Sequence, residues 1–227
     1  MPSKYNTEES LVDARLLAEN LDIEFKVIEI EEIVNIFRNT LKESVNDELG
    51  PITDENIQSR VRGNILMALS NQTGAMVVST GNKSEMAVGY STLYGDLAGG
   101  FALLKDLYKT EVYNLANFRN SISNVIPQNT IDKEPSAELR PDQFDKDSLP
   151  EYELLDEILR MYIEEDSSSE KIISKGIDEN IVYDVLSKVD RNEYKRKQVA
   201  PGVKLTEKAF GKDRRMPITN TYIRERG

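Results

Sequence analysis

A short apolar run over residues 75–78, followed by a small-residue turn and a helix, is the feature that most constrains the fold. Apolar and β-branched residues that lead into Ser, Thr and Gly predict a strand that enters a loop and then a helix. In a parallel α/β sheet, ligands bind where strand ends meet helix N-termini, because those termini carry unpaired N–H groups. Thr80 can offer a hydroxyl to a phosphate or an adenine edge, and Glu85 a carboxylate to Mg²⁺. The same residues also suit a plain helix cap with an exposed acid, so on its own the turn only indicates a nucleotide site.

The composition restricts the chemistry that this chain can perform. Its 227 residues include neither Cys nor His, which excludes disulfides, cysteine zinc sites and Ser-His or Cys-His triads within the chain. Any reaction must therefore use carboxylates, Lys, Arg, hydroxyls and metal. The net charge of −11, from 40 acidic and 29 basic residues, disfavours binding to nucleic acid or to an anionic membrane. The sequence has no apolar run of transmembrane length and no secretory signal, so we expect a cytoplasmic protein of one domain.

Capping residues and apolar periodicity predict three helices in the first third of the chain. Thr7 is a suitable cap for a helix that ends near Asn20. A second helix is expected over 31–45, and a longer third helix begins at residues 53–56. Between the first two helices, residues 24–30 have the imperfect apolar alternation of a mostly buried parallel strand.

The second half of the chain alternates a further strand with helices. We expect a strand over 101–107, a helix over 110–118, a helix over 149–165 and a last helix over 179–197. Ser residues at 167–169 are expected to cap one more helix. Residues 124–149 are rich in Pro, Asp, Asn and Ser and predict a long loop. A loop of this length within a compact domain is usually functional or disordered.

Five longer segments resemble those of one protein family. In chain order they are STGNKSE, YSTLYGDLAGGFALLKDLYKTEVYNLA, EPSAELRPDQ, DSLPEYELLD and KAFGKDRRMPITN. They are similar to the synthetase domain of the glutamine-dependent NAD synthetases. The resemblance implies an α/β fold of the Rossmann-like, adenine-nucleotide hydrolase type, in which flanking helices cover a parallel sheet.

The same resemblance implies that part of the domain is missing from this sequence. Family members carry an S-G-G-x-D-S loop that grips the ATP pyrophosphate, and these residues contain no such segment. Met1 is similar to a methionine that is internal in typical members. We therefore expect residues 1–227 to form a partial, N-terminally truncated synthetase domain that lacks the first strand, the phosphate loop and the upstream glutaminase domain. Such a chain is expected to be inactive alone, and to unfold at low denaturant or aggregate unless a partner fills the gap.

The resemblance also implies ligand contacts, residue by residue. Thr80, Lys109 and Ser136 are the implied contacts of ATP, and Glu85 is the implied ligand of Mg²⁺. The residues implied to contact deamido-NAD are Asn56, Arg60, Tyr90, Asp96, Tyr194 and Lys195. Asn56 and Arg60 lie four residues apart on one helix face, where a hydrogen-bonded surface pair is the alternative interpretation. No residue is expected to form a covalent bond with the substrate.

The reaction that the resemblance implies has two steps. ATP adenylates the nicotinate carboxylate of deamido-NAD, and ammonia derived from glutamine then attacks the acyl adenylate to give NAD and AMP. A homo-oligomer, a dimer or larger, is also implied. One alternative is a non-catalytic remnant or a dinucleotide-binding partner subunit. Another is a synthetase that amidates a different acceptor, although the YSTLYGD and PITN segments favour the NAD branch.

Overall fold

The structure, a computed structural model, describes residues 1–45 and 47–219. Within them the chain forms α-helices, two short strands and one 3₁₀ helix, Asp145–Asp147. The helices are α1 Glu8–Asn20, α2 Glu31–Val45, α3 Pro51–Thr73, α4 Lys83–Val88, α5 Lys109–Ile122, α6 Gln128–Asp132, α7 Tyr152–Ile163, α8 Ser169–Ile173, α9 Glu179–Arg191 and α10 Glu193–Arg196. The strands are β1 Val78–Ser79 and β2 Phe101–Ala102. In the described ranges, no helix is both long enough and apolar enough to cross a membrane.

The two strands pair in parallel, and α4 lies between them in the sequence. Val78 lies opposite Phe101, and Ser79 lies opposite Ala102. A parallel pair needs a crossover connection, which here contains α4. The predicted order of strand, loop and helix after residue 75 is therefore confirmed, and the end of β1 points the chain into the loop that carries Thr80.

The main hydrophobic core lies among the helices of the second half of the chain. α7 buries Leu155, Ile158 and Leu159 completely, and α4 contributes Ala87 and Val88. α9 packs its predicted inward face on them, with Val182, Val185, Leu186 and Val189 fully buried and Ile181 packed at the edge. Full burial of one such aliphatic side chain contributes about 1.5–3 kcal/mol. This core fixes α4, and α4 carries Glu85.

Most predicted helix boundaries are confirmed to within a few residues. The Thr7 hydroxyl caps α1 by accepting a hydrogen bond from the Ser10 N–H at 3.2 Å. The Ser168 hydroxyl caps α8 by accepting from the Lys171 N–H at 3.4 Å. α3 begins at Pro51, two residues before the predicted start, because a proline in the first turn needs no N–H partner.

Two predicted strands differ from the structure. The strand predicted over 24–30 is wrong, since this segment is not assigned to a strand and pairs with none in the described ranges. Its Phe25 and Val27 side chains are exposed and not buried as in the predicted strand. A strand requires a neighbouring strand to satisfy its backbone groups, which a sequence pattern cannot guarantee. The strand predicted over 101–107 ends after Ala102, where the chain turns towards α5.

The last predicted helix is interrupted at Asn192. The Asn192 side-chain amide donates to the Lys188 carbonyl at 2.7 Å and to the Val88 carbonyl at 2.9 Å. The bond to the Val88 carbonyl, at the end of α4, holds the Asn192 side chain between α4 and α9. Gly89 sits against it with a φ of 73°, and an added Cβ would lie only 2.2 Å from Asn192. A glycine is therefore required there on both conformational and steric grounds.

Candidate functional site

A cleft of about 1050 Å³ opens at the end of β1. α1 and α3 form one side of it, and the loop over 133–148 forms another. Eight of the ten residues implied to contact ligands line this cleft: Asn56, Thr80, Glu85, Tyr90, Asp96, Lys109, Ser136 and Lys195. They come from five separate parts of the chain, and the fold brings them to one concave surface.

Arg60 and Tyr194 do not line this cleft. The Arg60 Nε donates to the Leu93 carbonyl at 3.1 Å, and Arg60 faces a neighbouring cavity of about 680 Å³. Tyr194 lies on α10 with 42% of its surface exposed. Asn56, one turn before Arg60, instead accepts a hydrogen bond from the Thr92 hydroxyl at 2.7 Å. The contacts implied for Arg60 and Tyr194 stay predictions.

The loop after β1 forms a capping box that uses Glu85. The Asn82 side chain accepts from the Glu85 N–H at 3.0 Å, and Glu85 Oε2 accepts from the Asn82 N–H at 3.1 Å. One of the two Glu85 carboxylate oxygens therefore takes part in a helix cap, as the alternative interpretation of this turn predicts. The other, Oε1, lies 3.2 Å from Lys109 Nζ and forms an ion pair with it. Thr80 is exposed at the start of this loop.

Lys109 is held as a cation inside a mixed acidic and aromatic environment. Its Nζ lies 5.3 Å from the centre of the Tyr152 ring and 5.9 Å from that of Tyr113. Burial would lower the pKa of Lys109, but Glu85 and Asp145 outweigh that effect and hold the pKa above its usual range. Lys109 therefore presents a fixed positive charge at the cleft, which suits an anionic phosphate.

Glu85 could contribute one carboxylate ligand to a magnesium ion that arrives with a polyphosphate. Among the described residues, no three or more Asp, Glu, His or Cys side chains are grouped so that they could hold a metal ion by themselves. Glu85 is a single carboxylate at the edge of the cleft, already paired with Lys109. Mg²⁺ keeps several waters and often binds one or two carboxylates together with substrate phosphates. Glu85 is thus suited to a shared, substrate-borne ion and not to a closed all-protein site.

Asp145 is a cleft residue that the sequence analysis missed. It is buried, and its Oδ2 accepts from the Tyr152 hydroxyl at 2.7 Å. Its Oδ1 has no hydrogen-bond partner in the part of the chain that the structure describes. Burial, together with the Asp145 charge, raises the pKa of Tyr90. An acid in a polar loop carries no periodic signal, so only the fold shows that Asp145 lies at the cleft beside Tyr152 and Tyr90.

Ser136 organises the loop that covers one side of the cleft. Its hydroxyl donates to the Gln143 carbonyl at 2.5 Å and accepts from the Glu138 N–H at 3.1 Å. Glu138 then ties this loop to the start of α1, where it accepts from Ser10 at 2.6 Å and from Lys133 at 2.7 Å. These contacts hold the loop over the cleft.

We expect the Glu138 contacts to stabilise the protein only above the acidic range. Burial would raise the pKa of Glu138, but hydrogen bonds from Lys133, Ser10 and Asn6 outweigh it and lower the pKa. A lowered pKa means that the stabilisation is present above the unfolded value, about 4.3, and is lost as the pH falls through the folded value. Glu138→Gln should therefore cost about 1–2 kcal/mol in urea unfolding at pH 7. The difference from wild type should disappear in acid.

A matched control for this prediction lies in the same loop. Glu134 pairs with Lys146 but is about two-fifths exposed. Glu134→Gln should change the free energy of unfolding by less than about 1 kcal/mol at either pH. If Glu138→Gln and Glu134→Gln behave alike, the Glu138 contacts do not anchor the loop.

Lys195 and Asp96 shape the floor of the cleft. Lys195 Nζ donates to the Gly89 carbonyl at 2.6 Å and to the Ser91 carbonyl at 2.8 Å. Asp96 accepts from the Thr92 N–H at 2.6 Å. Burial lowers the pKa of Lys195, and the Asp96 charge opposes this shift. The two side chains place opposite charges at one end of the cleft.

The chain belongs to the NAD synthase family, because the sequence profile of that family matches residues 1–199. The chain is 53% identical over 224 residues to the glutamine-dependent NAD(+) synthetase of Aquifex aeolicus, covering 99% of this chain and 40% of that one. The enzyme of the same name from Thermotoga maritima is 54% identical over 224 residues, covering 98% and 39%. The family that the sequence segments indicated is thereby confirmed.

A solved structure supports the fold assignment. The glutamine-dependent NAD+ synthetase of Acinetobacter baumannii, in complex with ADP, is 47% identical to this chain, with a TM-score of 0.58. The match covers 97% of this chain and 39% of that one. The α/β fold of the adenine-nucleotide hydrolase type is therefore the fold of this chain. The chain spans about two-fifths of the length of the relatives that it matches.

Proposed function

We propose that this chain forms the part of a glutamine-dependent NAD synthetase that binds ATP and deamido-NAD. The observation that carries the proposal is the single cleft lined by eight of the ten residues implied for these two ligands. Binding both ligands side by side is the main requirement for transfer of an adenylyl group between them.

On the ATP side, three residues would hold the nucleotide. Thr80 would contact the adenosine end, and Lys109 would offset phosphate charge through its fixed ammonium group. Ser136 would contact ATP from the covering loop, where its hydroxyl already links two backbone groups. Mg²⁺ bound at Glu85 would neutralise charge on the phosphates.

On the deamido-NAD side, the residues supply both charges and hydrogen-bonding groups. Asn56, Tyr90, Asp96 and Lys195 would contact the dinucleotide within the cleft. Arg60 and Tyr194 would contact it only if it extends beyond that cleft, towards the neighbouring cavity or the surface of α10.

The proposed reaction needs no histidine and no covalent enzyme intermediate. The nicotinate carboxylate attacks the α-phosphorus of ATP, the bond to the bridging oxygen breaks, and pyrophosphate leaves. Ammonia then attacks the acyl carbon, AMP leaves with the former carboxylate oxygen, and the amide loses a proton. Since the attacking carboxylate is already ionised, catalysis consists mainly of positioning and charge neutralisation, which the cleft residues can supply.

The 227 residues contain no S-G-G-x-D-S segment to grip the pyrophosphate. We therefore propose that they form a partial synthetase domain that binds ligands but does not turn them over. We also propose that an upstream glutaminase domain supplies the ammonia. The protein would form a dimer or a larger assembly and would be located in the cytoplasm.

NAD formation tests this proposal directly. The purified chain is incubated with deamido-NAD, ATP, Mg²⁺ and saturating ammonium, and NAD is measured by chromatography. We expect no turnover from a folded chain that still binds both ligands. Turnover at an ordinary synthetase rate would contradict the role given to the missing phosphate loop. Binding of deamido-NAD without any binding of ATP would instead support a dinucleotide-binding partner or a non-catalytic remnant.

A further inference from the structure

Asp156 connects the first turns of the two helices that carry Glu85 and Lys109. It lies on α7 and is only 2% exposed. Its Oδ1 accepts from the Ser84 hydroxyl of α4 at 2.5 Å. Its Oδ2 accepts from both the N–H and the hydroxyl of Thr110 of α5, at 2.9 and 2.8 Å. One buried carboxylate thus accepts hydrogen bonds from the first turns of both α4 and α5.

Ser84 extends this connection to the backbone of Lys109. The Ser84 hydroxyl, while donating to Asp156, also accepts from the Lys109 N–H at 2.9 Å. The unpaired N–H groups of a helix start need partners, and here a neighbouring helix supplies them in place of solvent. The orientation of α5 relative to α4 is therefore fixed by hydrogen bonds at the point where both helices meet the cleft.

The charge of Asp156 suits this position. Burial raises its pKa, while the hydrogen bonds from Ser84 and Thr110 oppose the rise. The positive ends of two helix dipoles also favour a carboxylate at their N-termini. Glu85 follows Ser84 and Lys109 precedes Thr110 in the sequence, so each member of the ion pair is one residue from a contact of Asp156.

We propose that Asp156, acting through Ser84 and Thr110, is the positioning residue that sets the geometry of the Glu85–Lys109 pair. It touches no ligand itself. That the Glu85–Lys109 pair binds ATP phosphates rests on the proposed function. The effect of Asp156 on the geometry of the pair can be measured without any ligand. A residue that only stabilised the fold would change the free energy of unfolding and leave the pair intact once the protein is folded.

The test compares Asp156→Asn and Ser84→Ala with Asp190→Asn. Asn has only one acceptor oxygen, so it cannot accept from both Ser84 and Thr110 through separate oxygens as Asp156 does. Ala removes the hydroxyl that bridges Lys109 and Asp156 without any change of charge. Asp190 is a buried carboxylate on α9 that accepts from the Tyr162 hydroxyl at 2.7 Å, so its variant controls for loss of a buried acid elsewhere. The readout is the side-chain NH₃⁺ cross-peak of Lys109 in ¹H–¹⁵N NMR at constant pH, recorded on protein shown to be folded.

We expect Asp156→Asn and Ser84→Ala to shift or lose the Lys109 cross-peak, while Asp190→Asn leaves it in place. ADP affinity should fall about tenfold or more in the first two variants, a loss like that found when the groups that orient metal ligands are removed. An unchanged cross-peak in folded Ser84→Ala, or an equal change in Asp190→Asn, overturns the inference. If wild type binds no ADP, the proposed ATP site fails, and the cross-peak still decides the role of Asp156. If Asp156→Asn does not fold, Ser84→Ala decides it.

Discussion

Replacing Lys83 by Met is expected to lower the free energy of unfolding by about 3–5 kcal/mol, the cost of removing one partner from a buried ion pair. Lys83 is fully buried at the first turn of α4. Its Nζ lies 3.0 Å from Asp106 and 2.9 Å from Glu164, and it donates to the Thr206 hydroxyl at 2.6 Å. The variant would leave Asp106, which is also buried, without its cation.

The effect should extend to the C-terminal segment. Asp106 accepts from the N–H groups of Leu205 and Thr206, at 2.7 and 2.8 Å, so it ties that segment to the loop before α5. Urea unfolding of Lys83→Met measures the loss. Lys188→Met is the matched control, because Lys188 pairs with an Asp184 side chain that is 55% exposed, and it should cost less than about 1 kcal/mol. Equal losses in the two variants would show that the buried contacts of Lys83 stabilise the protein no more than an exposed ion pair does.

Replacing Lys109 by Met is expected to weaken ATP binding by roughly 10- to 100-fold. A hydrogen bond to a charged group contributes about 1.5–3 kcal/mol, and each 1.4 kcal/mol is about tenfold in Kd. Lys109 presents its ammonium group at the cleft, held by Glu85 and two tyrosine rings. Isothermal titration of ATP into the folded variant measures the change. Affinity for adenosine, which has no phosphate, should be unaffected.

Lys105→Met is the control for this prediction. Lys105 is also partly buried, but its Nζ donates to the Ala200 carbonyl at 2.9 Å and it does not line the cleft. The substitution removes the same charge from the chain and should leave ATP affinity within about twofold, because exposed or distant charges are largely screened. Equal weakening of ATP binding in both variants would mean that Lys109 acts only through the overall charge of the protein.

Local signals in the sequence predicted most of the helices. The Thr7 and Ser168 caps, and the apolar face of α9, depend on residues close together in the chain, so they can be recognised without the fold. The extended segment at 24–30 fails for the opposite reason. Its apolar residues suit a strand, but pairing depends on residues far away in the sequence, and none in the described ranges provides it.

Some residues of the candidate site can likewise be recognised from a local sequence pattern, and others cannot. The turn at Thr80 and Glu85 was visible as a local pattern, whereas Lys109 and Ser136 were identified only by resemblance to a family. Asp145 and Asp156 were not assigned at all. Each is an acid whose importance arises from contacts across 46 or more residues or from a missing partner, and neither property has a sequence signal. The final Asn of the PITN segment, Asn220, lies outside the described residues.

The most direct test of the account is a calorimetric titration of the folded 227-residue chain with deamido-NAD, alone and after saturation with ATP and Mg²⁺. We predict saturable binding of deamido-NAD in both conditions, since the cleft holds separate residues for each ligand. Failure of a folded chain to bind either ligand, or mutual exclusion of the two, would contradict the claim that ATP and deamido-NAD bind side by side in this cleft.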